Sequence, residues 1–504
     1  MDRPDSTQRA AAPDTDKLDR SVIVTGLVVI SGLIMVILDT TIVNVALDTL
    51  SGELNAPLST TQWVVTGYLL AVGMVIPLSG WAMDRFGTKT VWVTSLVLFT
   101  AGSVLCALSW SMGSLIAFRI VQGLGGGMLL PGGQTIIARA AGPDRIGRAM
   151  ALLGVPMLLG PVFGPVIGGA LVEYVSWHWI FLVNVPIGIL AVTLAVWKLS
   201  DGREHLTDGR LDVLGLVLLS GGLVCLLYGL SEASSRGSVA DGGVLSWLFA
   251  GAVAVALFVG HSLRKGAAAI IDVRLFANRV FASGAAAVFL VAIALFGGLL
   301  LMPLYYQTVR LEGPMAAGLL IAPQGLGAMV AMPIAGRLTD RIGAGSIVPF
   351  GILLTLIGTL PFTQVGADTS YAWLSIGLFI RGMGIGATMM PTIAASYSRL
   401  SHAAMSRATP TISAIQQVGG SLGSALLVMV LSRQITSQFE SQGIATSGGG
   451  ADQLRDLPPE LHDRIAPLVA SAYGDAFWVA FALTVLIFIP ALLLPRRRPP
   501  AADS

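Results

Sequence analysis

Apolar runs of roughly 18 to 26 residues recur along this chain, each long enough for a helix rising ~1.5 Å per residue to cross a ~30 Å hydrocarbon core. They lie near residues 22–47, 61–83, 90–109, 113–136, 148–172, 178–198, 211–231, 244–262, 281–306, 316–337, 345–364, 371–395, 407–432 and 473–494. Between them stand short polar connections rich in Gly, Pro, Asp and Arg. The pattern predicts an all-α polytopic membrane protein of about fourteen transmembrane helices, with the lipid bilayer as its solvent.

Charge fixes the expected orientation. With residues 1–20 inside, about 23 of the 30 Lys and Arg fall on the cytoplasmic side, among them Arg85, Lys89, Arg139, Arg145, Arg148, Arg264, Lys265, Arg274 and Arg496 to Arg498. One helix more or fewer would invert every later loop, so the bias supports an even number of crossings and two cytoplasmic termini. Composition agrees: 54% of the 504 residues are hydrophobic, 12% are charged and mean hydropathy is +0.79, outside the range of soluble domains. Residues 1–20 are polar and Asp-rich, without a short apolar core and cleavage site, and read as a disordered cytoplasmic tail ahead of an uncleaved first helix. No charged tail points to a nucleic-acid partner. Cys106 and Cys225 sit in apolar runs without metal-ligand spacing, so neither a metal nor another cofactor is expected. No phosphate-binding P-loop sequence is present, and no catalytic constellation suggests an enzyme.

The chain repeats itself. Pro77, Gly80, Asp84, Arg85 and Gly87 recur at the same spacing as Pro333, Gly336, Asp340, Arg341 and Gly343, and Gly160 and Gly164 recur as Gly419 and Gly423. Residues 21–200 and 266–495 are then two related six-helix bundles, and 201–265 carries two inserted helices. The long stretch near 433–470, with Gly448 to Gly450 and the pair Pro458 and Pro459, reads as an outer connection, and 496–504 as a second cytoplasmic tail. Two parallel six-helix repeats are the architecture of carriers that rock around a central site.

The turn after the second apolar run combines Gly80, Asp84, Arg85, Gly87 and Lys89. Gly80 admits a neighbouring helix, Gly87 permits a tight turn, and Asp84 can pair with a cation or cap a helix end. This spacing resembles the loop signature of the major facilitator superfamily, although Thr90 stands where a second base is common and the second copy lacks the trailing base. The fifth run carries Gly160, Pro161, Gly164, Pro165, Gly168 and Gly169, a small-residue stripe that allows close packing and bending. It resembles the signature associated, within that superfamily, with antiporters; tight packing without bearing on transport direction is the alternative.

Two charges interrupt the apolar runs of the first bundle. Asp39 lies about 17 residues, or ~25 Å, from the inner end of its helix, and Arg119 about six residues, or ~9 Å, from the outer end of its own. A centred charge costs about 2.5 to 3.5 kcal/mol on insertion scales, so each needs a partner or a task. Both fall in the outer half, and a pair between them is expected. Asp39 is then the candidate proton acceptor, with Arg119 stabilising its charged form; a structural ion pair that only orders the bundle is the alternative.

The stretches Leu38–Leu47, Gln62–Tyr68, Trp177–Pro186, Leu211–Gly215, Asp272–Phe276 and Pro303–Gln307 narrow the resemblance to the fourteen-helix drug:proton antiporter branch, over about residues 22–494. That resemblance implies a proton-coupled exporter of lipophilic, often cationic small molecules in the inner (plasma) membrane, acting as a monomer and exchanging substrate for protons. Tyr68, Gln122, Phe296, Gln324, Arg381 and Gln416 are the candidate substrate contacts, neutral or basic polar and aromatic groups within apolar walls. Export of an envelope lipid, siderophore or secondary metabolite suits the same walls, and an uptake symporter would share the fold.

Overall fold

The computed structural model describes residues 19–142, 145–200, 209–236, 238–398, 400, 402–441 and 459–496. The expected tails at 1–20 and 496–504 lie almost wholly outside these residues, as do 442–458 of the expected outer connection. Among the described residues fourteen long helices follow one another. The first six are α1 (Arg20–Val45), α2 (Trp63–Phe86), α3 (Thr88–Ala107), α4 (Met112–Ala141), α5 (Ile146–Tyr174) and α6 (Asn184–Lys198). The inserted pair is α7 (Val213–Arg236) and α8 (Gly242–Lys265). The last six are α9 (Arg279–Thr308), α10 (Pro314–Ile342), α11 (Ala344–Thr363), α12 (Tyr371–Tyr397), α13 (His402–Ser441) and α14 (Pro459–Leu486).

Thirteen of these meet the length and composition of a membrane span. The other, α5, has 29 residues and no charge between Arg148 and Glu173, more than the ~20 residues a crossing requires. It packs against α1 and α10. Most boundaries fall within a few residues of the apolar runs. The exceptions are α13 and α14, which extend well into 433–470. Hydropathy marks only the apolar part of a helix, whereas backbone hydrogen bonding carries the helix on through polar residues at the interface.

Local chemistry sets the ends. Ser111 and Ser114 form a reciprocal cap on α4, Asp241 accepts from the Gly243 and Val244 N–H groups at the start of α8, and Asn278 accepts from Val280 N–H at the start of α9. Gly87 and Gly343 have φ of 87° and 83°, a conformation that a β-carbon disfavours. The same turn is thus built at both copies of the repeat. Helix α7 docks on α2 and α13, at the seam between bundles, and α8 packs outside it on α7.

The bundles meet at the end that carries the two repeated turns, called here the basic end. A β-carbon on Gly80 of α2 would overlap the Ser406 carbonyl of α13. Ser406 Oγ donates to Asp84 Oδ2 at 2.9 Å, and Arg139 of α4 approaches Asp84 Oδ1 at 3.4 Å. Asp340 mirrors this from the other side: its carboxylate accepts from Gly147 N–H at 2.8 Å and Arg148 Nε at 2.8 Å, across the first turn of α5. The acid sits where the free N–H groups and the positive end of the helix dipole favour an anion. Although the second turn lacks the trailing base, its carboxylate therefore makes the closer latch. Deeper in, Thr135 and Thr409 hydroxyls lie 2.6 Å apart, and Gln134 Oε1 accepts from Tyr397 Oη at 3.1 Å.

Candidate functional site

Five helices of the first bundle bring polar side chains to one buried point. Asp39 comes from α1, Tyr68 from α2, Ser103 from α3, Arg119 and Gln122 from α4, and Asn184 from the start of α6; Asp39, Ser103, Arg119, Gln122 and Asn184 are 0% exposed. The spacing of three between Arg119 and Gln122 stacks both on one face of α4. Gly102 admits α4 there, since a β-carbon on it would meet Gln122 Cα at 2.7 Å, and Gly123 admits the Tyr68 backbone.

Arg119 Nη1 donates to Asp39 Oδ2 at 2.5 Å and to Gln122 Oε1 at 2.7 Å, while its Nε donates to the Val64 carbonyl at 3.1 Å. Asp39 Oδ1 accepts from Gln122 Nε2 at 2.9 Å and from Asn184 Nδ2 at 2.8 Å. Ser103 Oγ accepts from the same two amides at 2.7 and 3.2 Å. The guanidinium lies 4.1 Å from the centroid of the Tyr68 ring, a cation–π contact on its other side. Away from water such charge-assisted bonds are short and strong, and they hold one carboxylate in one orientation.

The expected pair of Asp39 and Arg119 is therefore made directly. Gln122 and Tyr68, expected among the substrate contacts, stand on that pair. Ser103 and Asn184 are not legible in the sequence as site residues: one hydroxyl in an apolar run is ordinary, and Asn184 is marked only as part of the stretch ending at Pro186. The glycine stripe of α5 serves the same site from behind. Gly160 takes the Ile37 side chain, Gly164 takes Thr41 and Gly168 takes Ile42, with Thr41 Oγ1 donating to the Gly160 carbonyl at 3.2 Å. These α1 residues flank Asp39, so the stripe sets the position of the carboxylate. The Pro161 side chain lies outside the described residues, Pro165 is half-buried, and Gly169 has open space beside it.

The remaining candidates lie in the second bundle. Arg381 of α12, 2% exposed, donates through Nη1 to Gln324 Oε1 of α10 at 2.7 Å. Gln416 of α13 borders a small void with Val288, Val291, Ala292, Met389 and Ile393, and Phe296 packs on Gly420. No group of three or more His, Cys, Asp and Glu side chains suited to a metal occurs among the described residues.

A helical membrane protein with two latched six-helix bundles, an added pair at their seam and a buried ion pair in one half belongs to the class of rocking-bundle carriers. The Major Facilitator Superfamily matches residues 29–426, and the chain belongs to that family of membrane transporters. It is 41% identical to a "Multidrug resistance protein B homolog" of Mycobacterium tuberculosis, over 98% of this chain and 94% of the relative. It is 30% identical to the "Tetracenomycin C resistance and export protein" of Streptomyces glaucescens, over 94% of this chain and 91% of the relative. The proton:xylose symporter XylE shares the fold, with a TM-score of 0.58 at 16% identity, over 93% of this chain and 96% of that one.

Proposed function

We propose that this protein exports lipophilic small molecules, drugs among them, in exchange for protons, by alternating access about the seam between its bundles. The kinship with multidrug-resistance and antibiotic-export proteins supports export, and one observation carries the coupling: Asp39 of α1, fully buried, is the carboxylate on which contacts from α4 and α6 converge. A proton delivered to Asp39 removes half of a buried ion pair and leaves Arg119 uncompensated, a change that cannot be neutral for packing among those helices. Deprotonation restores the pair. Each proton moving inward down a potential of 100 mV releases about 2.3 kcal/mol, enough to bias the two conformations strongly.

In this reading the basic end is cytoplasmic, both termini lie inside, and the chain works as a monomer in the plasma membrane, with the apolar second bundle contributing Phe296, Gln324, Arg381 and Gln416 to substrate contact. Export of an endogenous secondary metabolite is the second reading, favoured by the kinship with the tetracenomycin C exporter. The test is ethidium uptake into everted vesicles under an imposed pH gradient. Wild-type vesicles accumulate ethidium and Asp39→Asn vesicles, with the protein inserted and folded, do not. Accumulation by the variant at the wild-type rate would reduce Asp39 to a structural role.

A further inference from the structure

The two bundles treat their buried arginines differently. In the first, α1 presents Asp39 to Arg119. The matching site in the second is recognisable from its backbone packing. Gly358 of α11 abuts the Arg381 backbone as Gly102 of α3 abuts Gln122, and Gly382 of α12 abuts the Gln324 carbonyl as Gly123 of α4 abuts that of Tyr68. Arg381 thus occupies the repeat position of Gln122. Helix α9 turns Val291, Ala294, Leu295 and Gly298 toward it, where α1 supplies a carboxylate.

Among the described residues no acid forms an ion pair with Arg381. Its Nη1 donates to the neutral Gln324 amide, its Nε has no partner, and a β-carbon on Gly298 would overlap its Nη2. A guanidinium stays protonated at any pH the protein meets. A buried, unpaired cation is among the most unfavourable groups a membrane protein can hold. Beside it lies a void of about 20 Å³, lined by Leu295, Thr355, Ile385, Thr388 and Thr484, room for roughly one water-sized group. An adjoining void, sharing Val291, is bordered by Gln416, whose Oε1 is also unpartnered.

We infer that Arg381 is an anion site inside the second bundle, completed by the carboxylate or phenolate of an amphipathic substrate or by a small inorganic anion that enters the void. This deepens the exporter reading and rests on it for its role in transport: acidic lipophilic compounds, and not cations alone, would be substrates, with Arg381 holding the charged head and the apolar α9 face the body once rocking of the bundles has widened the void.

The experiment measures fluorescein binding, by fluorescence anisotropy, to the purified full-length protein in lipid nanodiscs, in gluconate buffer and again with chloride. Arg381→Gln should weaken binding about thirtyfold, as expected when one member of a buried charge pair is truncated. Gln324→Glu keeps the arginine but supplies an internal carboxylate within reach of Nη1, and should weaken binding comparably; it decides the matter if the arginine variant does not fold. Wild-type affinity in Gln324→Glu, or no binding of fluorescein and no chloride-dependent thermal shift in the wild type, overturns the inference. Competition by chloride assigns the site to small inorganic anions, and indifference to chloride assigns it to the organic head. Ethidium uptake by wild-type vesicles is scored separately, so that a failed exporter reading with intact anion binding is distinguishable from a failed anion site.

Discussion

Burying Asp39 and Arg119 together is tolerable only because each satisfies the other and two neutral side chains, Gln122 and Asn184, with the Val64 carbonyl, complete their hydrogen bonds. Removing one partner of such a pair costs about 3 to 5 kcal/mol, whereas replacing both by apolar groups of similar volume is often close to neutral. Asp39→Leu alone should therefore lower the melting temperature of the purified protein sharply, and adding Arg119→Met should restore most of it. Neither protein should transport. A double variant that regained both stability and gradient-driven ethidium uptake would show that the pair only orders the bundle. The amides of Gln122 and Asn184 matter at this scale because they fix which carboxylate oxygen faces which donor, an arrangement no spacing in the sequence specifies.

Among the elements, the inserted pair α7 and α8 is tied down by one acid. Asp212, just ahead of α7, accepts from Gly215 N–H at 3.1 Å, His261 Nε2 at 2.9 Å, Lys265 Nζ at 2.7 Å and Ile270 N–H at 3.3 Å. Burial pushes its carboxyl up, but the bonds from Lys265, His261 and the two backbone N–H groups outweigh burial and hold it at about 2, below its ordinary 3.8. A carboxyl with a depressed folded-state value stabilises the fold above its unfolded value, and that contribution disappears as pH falls through the folded one. The thermal stability of the wild type should thus decline between pH ~4 and ~2. Asp212→Asn should start lower at neutral pH and lose less over that window, as read by melting of the purified protein. Equal slopes for the two proteins would remove Asp212 from the account. The same cluster restricts position 215, since a β-carbon on Gly215 would overlap the Asp212 carboxylate.

Across the whole molecule, contacts between the bundles hold the basic end closed. At the basic end Gly80 meets Ser406 and Pro410, and Gly147 meets Asp340 and Gly336. A methyl on Gly80 would collide with the Ser406 carbonyl, so Gly80→Ala should wedge α2 from α13 and shift the population toward a basic end that is open. Spin labels at Phe86 and Leu338, both exposed and on opposite bundles, should report a longer mean distance in the variant. An unchanged distribution would mean that the two helices part elsewhere when the carrier rocks.

The sequence by itself determined the membrane class, the succession of long helices and the internal repeat, because apolar length, charge asymmetry and glycine spacing are local or periodic quantities that survive without coordinates. It also singled out Asp39, Arg119, Gly80 and Asp84, since an intramembrane charge or a twice-used turn is costly enough to be visible alone. Tertiary structure decided the rest. Only the packing of α1, α3, α4 and α6 could bring Asn184 to Asp39 and Ser103 to the amides that hold it, and only the packing of α9 through α12 could set Arg381 against the neutral Gln324 amide. Whether a buried charge is answered depends on which side chains from distant helices reach it, and that is a property of three-dimensional proximity.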